Sequence, residues 1–381
     1  MRRDLDAAYA LIVACLRPPE RFDAERASAL LGSIPTGTML RLAEHHGVAG
    51  SLYPRLAGLP SAPAEAVHAL KEIHDAAVRH HLHIIWELSR LRGVLDAAGM
   101  RWAVIKGPVA AELLYDEPGM RTYGDLDVLV EPARFPDALE ALRASDHRVL
   151  DRNWRAIRRE MRGELHVEMP GGSLLDLHWD LVNIYRGRIR VDAPAILGRL
   201  EWVDLGGIRA PTLDPTDGLL HLALHGTLSG GDRLRWILDV ARAATRRPPD
   251  WDELVERAEA WRAAAPVGYL LARAAEILEA PVPAEVPPRL LGRAHRALVR
   301  AADRIVPWHR AEGRLTAPAL AITRSMGYSL PVAAAWLVRR GVRGLDPREP
   351  RASSSFTPAG GTDDYEAFLA AVVASAGCRR G

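Results

Sequence analysis

The stretch Gly124-Asp125-Leu126-Asp127-Val128-Leu129-Val130 sets two carboxylates two residues apart at the start of an apolar run. Val128, Leu129 and Val130 read as a buried strand. Residues i and i+2 of a strand point to the same side. Asp125 and Asp127 therefore aim together at one point, at the edge of an otherwise apolar element. Two converging carboxylates repel each other and lose hydration unless a cation sits between them. The pair reads as a divalent metal site, and oxygen-only ligands favour Mg²⁺ or Mn²⁺ over zinc.

A second stretch, Leu174-Leu175-Asp176-Leu177-His178-Trp179-Asp180, alternates apolar and polar residues. One face carries Leu175, Leu177 and Trp179, and the other carries Asp176, His178 and Asp180. Pro170-Gly171-Gly172 is a hairpin signal between strands expected at 163–169 and 174–181. If the second of these lies beside the Asp125 strand, Asp176 becomes a third carboxylate at the same site. Three carboxylates can hold two divalent ions, a clamp suited to in-line attack at phosphorus. Upstream, 102–105 reads as a buried strand, Lys106-Gly107-Pro108 as a turn and 109–115 as a short helix. Of the 50 basic residues only two are lysine, Lys71 and Lys106. Against that arginine bias, Lys106 marks a place suited to a compact ammonium, whereas Lys71 falls on a solvent-facing helix.

Bulk properties narrow the class. The 381 residues are 48% hydrophobic and 26% charged, which fits a globular chain with a real core and excludes a disordered one. A net charge of +2 excludes a polycation built to coat nucleic acid or membrane. The two cysteines, Cys15 and Cys378, lie near opposite ends, so they provide no disulfide framework, and a reducing cytoplasm is the natural inference. The apolar run from Ala7 to Leu16 is short and reads as a helix and not a signal peptide. No apolar stretch reaches the roughly 20 residues a membrane helix needs.

Residues 1–75 read as helices broken at Pro18-Pro19, Ile34-Pro35-Thr36-Gly37 and Leu59-Pro60. A long helix follows over about 64–98, with Ile84, Ile85, Leu88, Leu91 and Leu95 at helical spacing and Gly99 as its stop. Beyond the paired strands, 135–145 reads as a helix, 148–150 as a strand, and 202–210 as a small hairpin around Leu205-Gly206-Gly207. From Asp217 the chain is helical again, over 217–228, 232–246, 251–262, 264–279 and 288–304, then less regularly to about 342. Residues 348–363 read as a flexible linker and 364–376 as a last amphipathic helix.

Lys106-Gly107, then Arg121-Thr122-Tyr123-Gly124-Asp125-Leu126-Asp127, then Asp176-Leu177-His178-Trp179 resembles the poorly characterised bacterial nucleotidyltransferases of the DNA-polymerase-β type. Leu220-His221-Leu222-Ala223-Leu224-His225-Gly226 and Arg233-Leu234-Arg235-Trp236-Ile237-Leu238-Asp239 resemble that family's helical half. The resemblance covers roughly 80–245. It implies an α+β fold with a polymerase-β-like core, a mixed sheet with flanking helices, set between N-terminal and C-terminal helical regions. The corresponding division is 1–75 helical, 76–211 nucleotidyltransferase core, 212–347 helical, and 348–381 linker and terminal helix.

The resemblance also implies roles. Asp125, Asp127 and Asp176 hold Mg²⁺ or Mn²⁺, and Asp176 assists deprotonation of the acceptor. Gly107 lets the backbone approach phosphate at a helix N-terminus, Gly124 and Arg235 count among the nucleotide-binding residues, and Lys106 and Arg121 neutralise phosphate charge. His178 orders Asp176, touches substrate or acts as a base. Pro108 stands where the superfamily has Gly or Ser, which removes a backbone donor from the phosphate turn; Lys106 partly replaces it as a point charge. The implied reaction moves a nucleoside monophosphate, AMP first among the choices, from a nucleoside triphosphate such as ATP to an acceptor, with release of pyrophosphate. A small molecule, peptide or saccharide is the first expectation for the acceptor. Rivals are a toxin-like transferase acting on tRNA or protein and a non-catalytic nucleotide-binding module.

Other signals are weaker. His221 and His225 stand at i and i+4, a metal spacing, but lack a following Glu and a third ligand, so packing is expected. Arg235 and Asp239 have the spacing of an intrahelical ion pair, and Arg235 reaches phosphate only if its helix faces the cleft. Arg152, Arg155, Arg158, Arg159 and Arg162 would form one basic stripe on a helix, either a solvated face or a docking surface for an anionic acceptor such as RNA. His80, His81 and His83 carry no expected metal role.

Overall fold

The long helical pattern before residue 98 and the strands after it meet as a helix laid across a sheet. The computed structural model describes residues 2–160, 163–182, 189–305 and 356–377. Four short helices open the chain: α1 (Arg2–Leu16), α2 (Ala24–Leu31), α3 (Thr36–His46) and α4 (Ala49–Ala57). The long α5 (Ala64–Ala97) follows. It ends at Gly99, whose φ of +61° lets the Met100 N–H turn back to the Leu95 carbonyl at 3.0 Å.

The middle of the chain holds β1 (Trp102–Val104), α6 (Pro108–Leu114), β2 (Asp125–Val130), α7 (Phe135–Arg143), β3 (Arg148–Val149) and α8 (Trp154–Glu160). Then come β4 (Glu164–Glu168), β5 (Leu174–His178), α9 (Ala193–Leu197), β6 (Glu201–Leu205) and β7 (Ile208–Thr212). The rest is helical: α10 (Pro215–Leu228), α11 (Leu234–Arg246), α12 (Trp251–Ala260), α13 (Ala264–Leu278), α14 (Val286–Leu290), α15 (Arg293–Ile305) and α16 (Thr362–Gly377). The protein is thus α+β and mostly helical. Among the described residues no helix is long and apolar enough to cross a membrane.

The seven strands described form one mixed sheet in the order β3-β4-β5-β2-β1-β7-β6. Both expected hairpins form, β4 with β5 and β6 with β7. β2 runs antiparallel to β1 and parallel to β5. That last pairing sets Asp127 opposite Asp176 and Leu129 opposite His178.

Alternation divides the sheet into two faces. Leu126, Val128, Val130, Leu175, Leu177 and Trp179 pack with Ile84, Leu88, Leu91 and Leu95 of α5, Phe135 and Leu139 of α7, and Phe368 of α16. On the other face, Ala103, Ile105 and Leu129 join a larger cluster. It runs without a break from Leu11 and Leu52 of the N-terminal helices to Leu220, Leu238 and Leu270 of the C-terminal ones. The N-terminal helices and the helices α10 to α15 therefore share one core, whereas α16 packs on the other face.

The tail differs from the linker reading. Residues 348–355 of that segment, and the helical stretch read over 306–342, lie outside the described residues. Residues 356–361 are tied down: Trp154 N–H donates to the Ala359 carbonyl at 3.1 Å, and Ala359 N–H donates to the Arg152 carbonyl at 3.2 Å. Phe368 of α16 sits 2% exposed among Phe135, Trp154 and Trp179, with ring centroids 6.2, 5.5 and 5.5 Å away. Local composition marked the tether as loose, and burial of one aromatic holds it. Replacing Phe368 by Ala should destabilise the protein by about 3–5 kcal/mol in denaturant unfolding. A loss below about 1 kcal/mol would mean that this docking contributes little.

Candidate active site

The site begins where β1 leaves the sheet. Ile105 N–H donates to the Asp127 carbonyl at 3.1 Å, carrying the β1 edge to the level of Asp127. The next residue, Lys106, pairs its ammonium with Asp127 Oδ1. Gly107 then turns with φ of +63°, and a Cβ there would stand 3.1 Å from the Asp125 carbonyl oxygen. Few residues but glycine fit this backbone conformation.

Asp127 is fully buried and has a second cation. His178 Nε2–H donates to Asp127 Oδ1 at 3.1 Å, while His178 Nδ1 lies 3.4 Å from Glu164 Oε2. Burial opposes a charge on His178, but Glu164 and Asp127 raise its pKa to about 9, so it is an imidazolium at neutral pH. Burial would likewise raise the pKa of Asp127, yet Lys106 and His178 hold it well below the ordinary carboxylate range. Among the described residues Asp176 has no cation in hydrogen-bonding contact; His166 Nε2 stands 3.8 Å from its Oδ1. Burial, then the Asp127 charge, pushes its carboxyl up to about 7. Burial and Asp127 also raise the pKa of Asp125. Of the three roles implied for His178, the one that orders Asp176 has no bond behind it: its carboxylate hydrogen bond goes to Asp127.

Asp127 Oδ2 and Asp176 Oδ1 are buried and have no hydrogen-bond partner among the described residues. The Asp127 and Asp176 carboxylates, side by side on adjacent strands, fit a divalent cation. Asp127, Asp176 and His178 offer ligand atoms within 4.8 Å of one another, and Glu164, His166 and Asp176 form a second group of the same kind. Asp125 stands outside both groups and lines the neighbouring pocket.

That pocket encloses about 440 Å³, a volume in the range of small-molecule sites. Lys106, Gly107, Arg121, Gly124, Asp125, Asp127 and Arg235 all line it, with Trp236 and His225 of the helical half on the far wall. Asp176 and His178 lie one strand further away. Arg121 is less available than its motif position implied. Its Nε and Nη2 donate to the two oxygens of Asp239 at 2.9 Å each, and Tyr115 OH donates to the same carboxylate at 2.7 Å. The intrahelical Arg235–Asp239 pair therefore does not form, because Asp239 is already engaged across the domain. Arg235 stacks over Trp236, and among the described residues it has no carboxylate partner. Burial and the nearby Arg121 lower its pKa. It is an arginine on the pocket wall whose nearest carboxylates, Asp239 and Asp125, act on it from beyond ion-pair contact.

Three groups of residues escaped the sequence reading. His81 joins Tyr123 OH and Glu112 Oε1 at 2.8 Å each and so fixes the residue before Gly124. Glu164 and His166 face His178 and Asp176 across the hairpin, and their alternation with Leu165 and Val167 was the available signal. Asp151 Oδ2 accepts from His166 Nδ1 at 2.8 Å; nothing in the sequence joins these two. His221 and His225 join neither metal group, and burial pushes the His221 pKa down to about 3. The basic stripe is not one helical face: α8 starts only at Trp154, and Arg155 is bonded to Asp364 of α16 at 2.9 Å. Arg162 and the side chain of Arg159 lie outside the described residues.

A mixed sheet with facing carboxylates on adjacent strands, beside a cation-lined pocket, is a site equipped to handle a phosphorylated ligand. The chain belongs to the family of uncharacterised nucleotidyltransferases, whose profile matches residues 33–279. That membership implies transferase activity and a nucleotide substrate. No curated protein and no solved structure matches the chain.

Two outcomes follow from this geometry. An ion needs Asp176 as carboxylate, and the metal-free carboxyl takes up a proton as pH falls through about 7. Divalent-ion affinity, followed by calorimetric titration, should then drop about tenfold per pH unit below that point; a pH-independent affinity would contradict it. Replacing Arg121 by Ala strands the buried Asp239 charge and should destabilise the fold by roughly 3–5 kcal/mol, with Arg121→Lys only a partial rescue because it cannot reproduce the bidentate fork.

Proposed function

We propose that the protein transfers a nucleoside monophosphate from a nucleoside triphosphate, ATP first among them, to an acceptor, in a Mg²⁺-dependent reaction on a polymerase-β-like core. The observation that carries this reading is the parallel β2–β5 register, which puts Asp127 beside Asp176 at the edge of a pocket lined by Lys106 and Arg235. Asp125, Asp127 and Asp176 would hold the ions. Bound there, Mg²⁺ supplies charge neutralisation on the triphosphate and polarisation of the α-phosphorus.

The chain's own groups do the rest. Arg235 binds triphosphate oxygens from the helical wall, and Lys106 balances charge from the sheet side. Gly107 leaves room for the phosphate beside its backbone. The acceptor oxygen forms a bond to the α-phosphorus, the bond to the bridging oxygen breaks, and pyrophosphate leaves with that electron pair. Asp176 takes the acceptor's proton. His178 and Lys106 keep Asp127 ionised and in place. Positioning and charge stabilisation account for the acceleration, as in other phosphoryl transfers. A small molecule, peptide or saccharide is the favoured acceptor. The RNA alternative rested on the arginine stripe, and Arg155 of that stripe is engaged by Asp364.

The test is incubation with Mg²⁺, each α-labelled nucleoside triphosphate and a cell extract. Label should move to an acceptor with the native protein and not with Asp127→Asn. Arg235→Ala should raise KM for the triphosphate about tenfold or more, the cost of one charge-assisted contact. Equal labelling by native and Asp127→Asn proteins, or none with any nucleotide, would overturn the proposal.

A further inference from the structure

The second polar group lies on the side of Asp176 away from the nucleotide pocket. β4 flanks β5 on one side, and β2 and then β1 lie on the other. His166 is the register partner of Asp176, and Glu164 is the partner of His178. Glu164, His166 and Asp176 each offer a ligand atom within 4.8 Å of the other two. His166 Nε2 stands 3.8 Å from Asp176 Oδ1. That is too far for a hydrogen bond. It is close to the spacing of two atoms bound to one ion at about 2.0–2.2 Å each.

Two further observations point to a ligand. Asp176 is 6% exposed, and its Oδ1, the oxygen facing His166, is buried with no hydrogen-bond partner. The ring of His166 is already oriented: its Nδ1–H donates to Asp151 Oδ2 at 2.8 Å, and the same oxygen accepts the His166 backbone N–H at 2.7 Å. A carboxylate holding the far nitrogen of an imidazole, so that the near one faces an ion, is the usual support of a histidine metal ligand. Asp151 is fully buried, so this support is part of the fold and not a chance surface contact.

We propose that Glu164, His166 and Asp176 form a separate cation site with one nitrogen and two carboxylate ligands, which takes a first-row transition-metal ion such as Mn²⁺ in preference to Mg²⁺. The selectivity comes from the imidazole. Mg²⁺ prefers oxygen and keeps its waters, whereas Mn²⁺ and its heavier neighbours accept nitrogen. Asp176 is the shared wall between this site and the Asp127 side. Under the proposed transferase reading, the phosphates lie toward Lys106 and Arg235. The new site then lies opposite the leaving pyrophosphate, where the acceptor enters. The proposal deepens that reading, but ion binding itself needs neither nucleotide nor acceptor.

The experiment uses the full chain without nucleotide, titrated with Mn²⁺ in a large excess of Mg²⁺ and read by pulsed electron paramagnetic resonance. Native protein should show a bound Mn²⁺ with imidazole-nitrogen coupling. His166→Gln should lose both the coupling and that equivalent of ion, whereas His178→Gln should keep them. Asp151→Asn should keep the coupling while weakening Mn²⁺ binding about 10- to 100-fold. Absence of nitrogen coupling in the native protein overturns the proposal, and this result does not depend on whether any variant folds. Coupling that survives in His166→Gln, or disappears only in His178→Gln, overturns it too. Failure of nucleotide transfer with Mn²⁺ still bound through His166 would instead count against the transferase reading.

Discussion

The structure depends on the parallel pairing of two strands that each carry a carboxylate to the same level. Strands pair about 4.8 Å apart. At that separation two carboxylates in an effective dielectric near 20 repel by roughly 3 kcal/mol. The fold answers this with local charge. Lys106 arrives at the end of β1, and His178 is held as an imidazolium between Asp127 and Glu164. Both cations fall to Asp127. Asp176 is left with an unpartnered oxygen and an elevated pKa, the condition of a group that is complete only when a cation is bound.

The helical half is as much a part of the site as the sheet. Arg121 follows α6, and its guanidinium reaches across to Asp239 on α11. That buried fork fixes α11 against the sheet, and with it the neighbouring Arg235 and Trp236 on the pocket wall. Arg121, a phosphate candidate from its motif position, is thus also a strut, and Arg235, one turn from Asp239 on α11, lines the same pocket. The continuous core from Leu11 to Leu270 serves the same end.

Much of this was legible beforehand. The apolar run behind the spaced carboxylates in 124–130 and the period-two alternation in 174–180 identified both strands and their polar residues, because a strand's side chains have only two directions to take. The Pro170-Gly171-Gly172 turn identified the hairpin, and Gly99 identified the end of α5. The scarcity of lysine singled out Lys106, which is the residue that pairs with Asp127. Glu164 and His166 carried the same alternating signal in a segment read only for its strand.

What the chain's order could not decide was partnership. Asp239 stands four residues from Arg235, the spacing of an ion pair, but it bonds Arg121, 118 residues away, because tertiary packing brings a planar fork to it first. Asp151 and His166 have no shared periodicity, and α16 looked like a tail until Phe368 found an aromatic cavity. By itself the sequence determined which residues could bear charge, which faces would be apolar and which family the chain resembles, since these follow from residue type and local period. Only the tertiary structure decided that Asp127 would have two cations in close contact and Asp176 only the more distant His166. That division depends on strand order and register, and electrostatic energy depends on distance in space, not on distance along the chain.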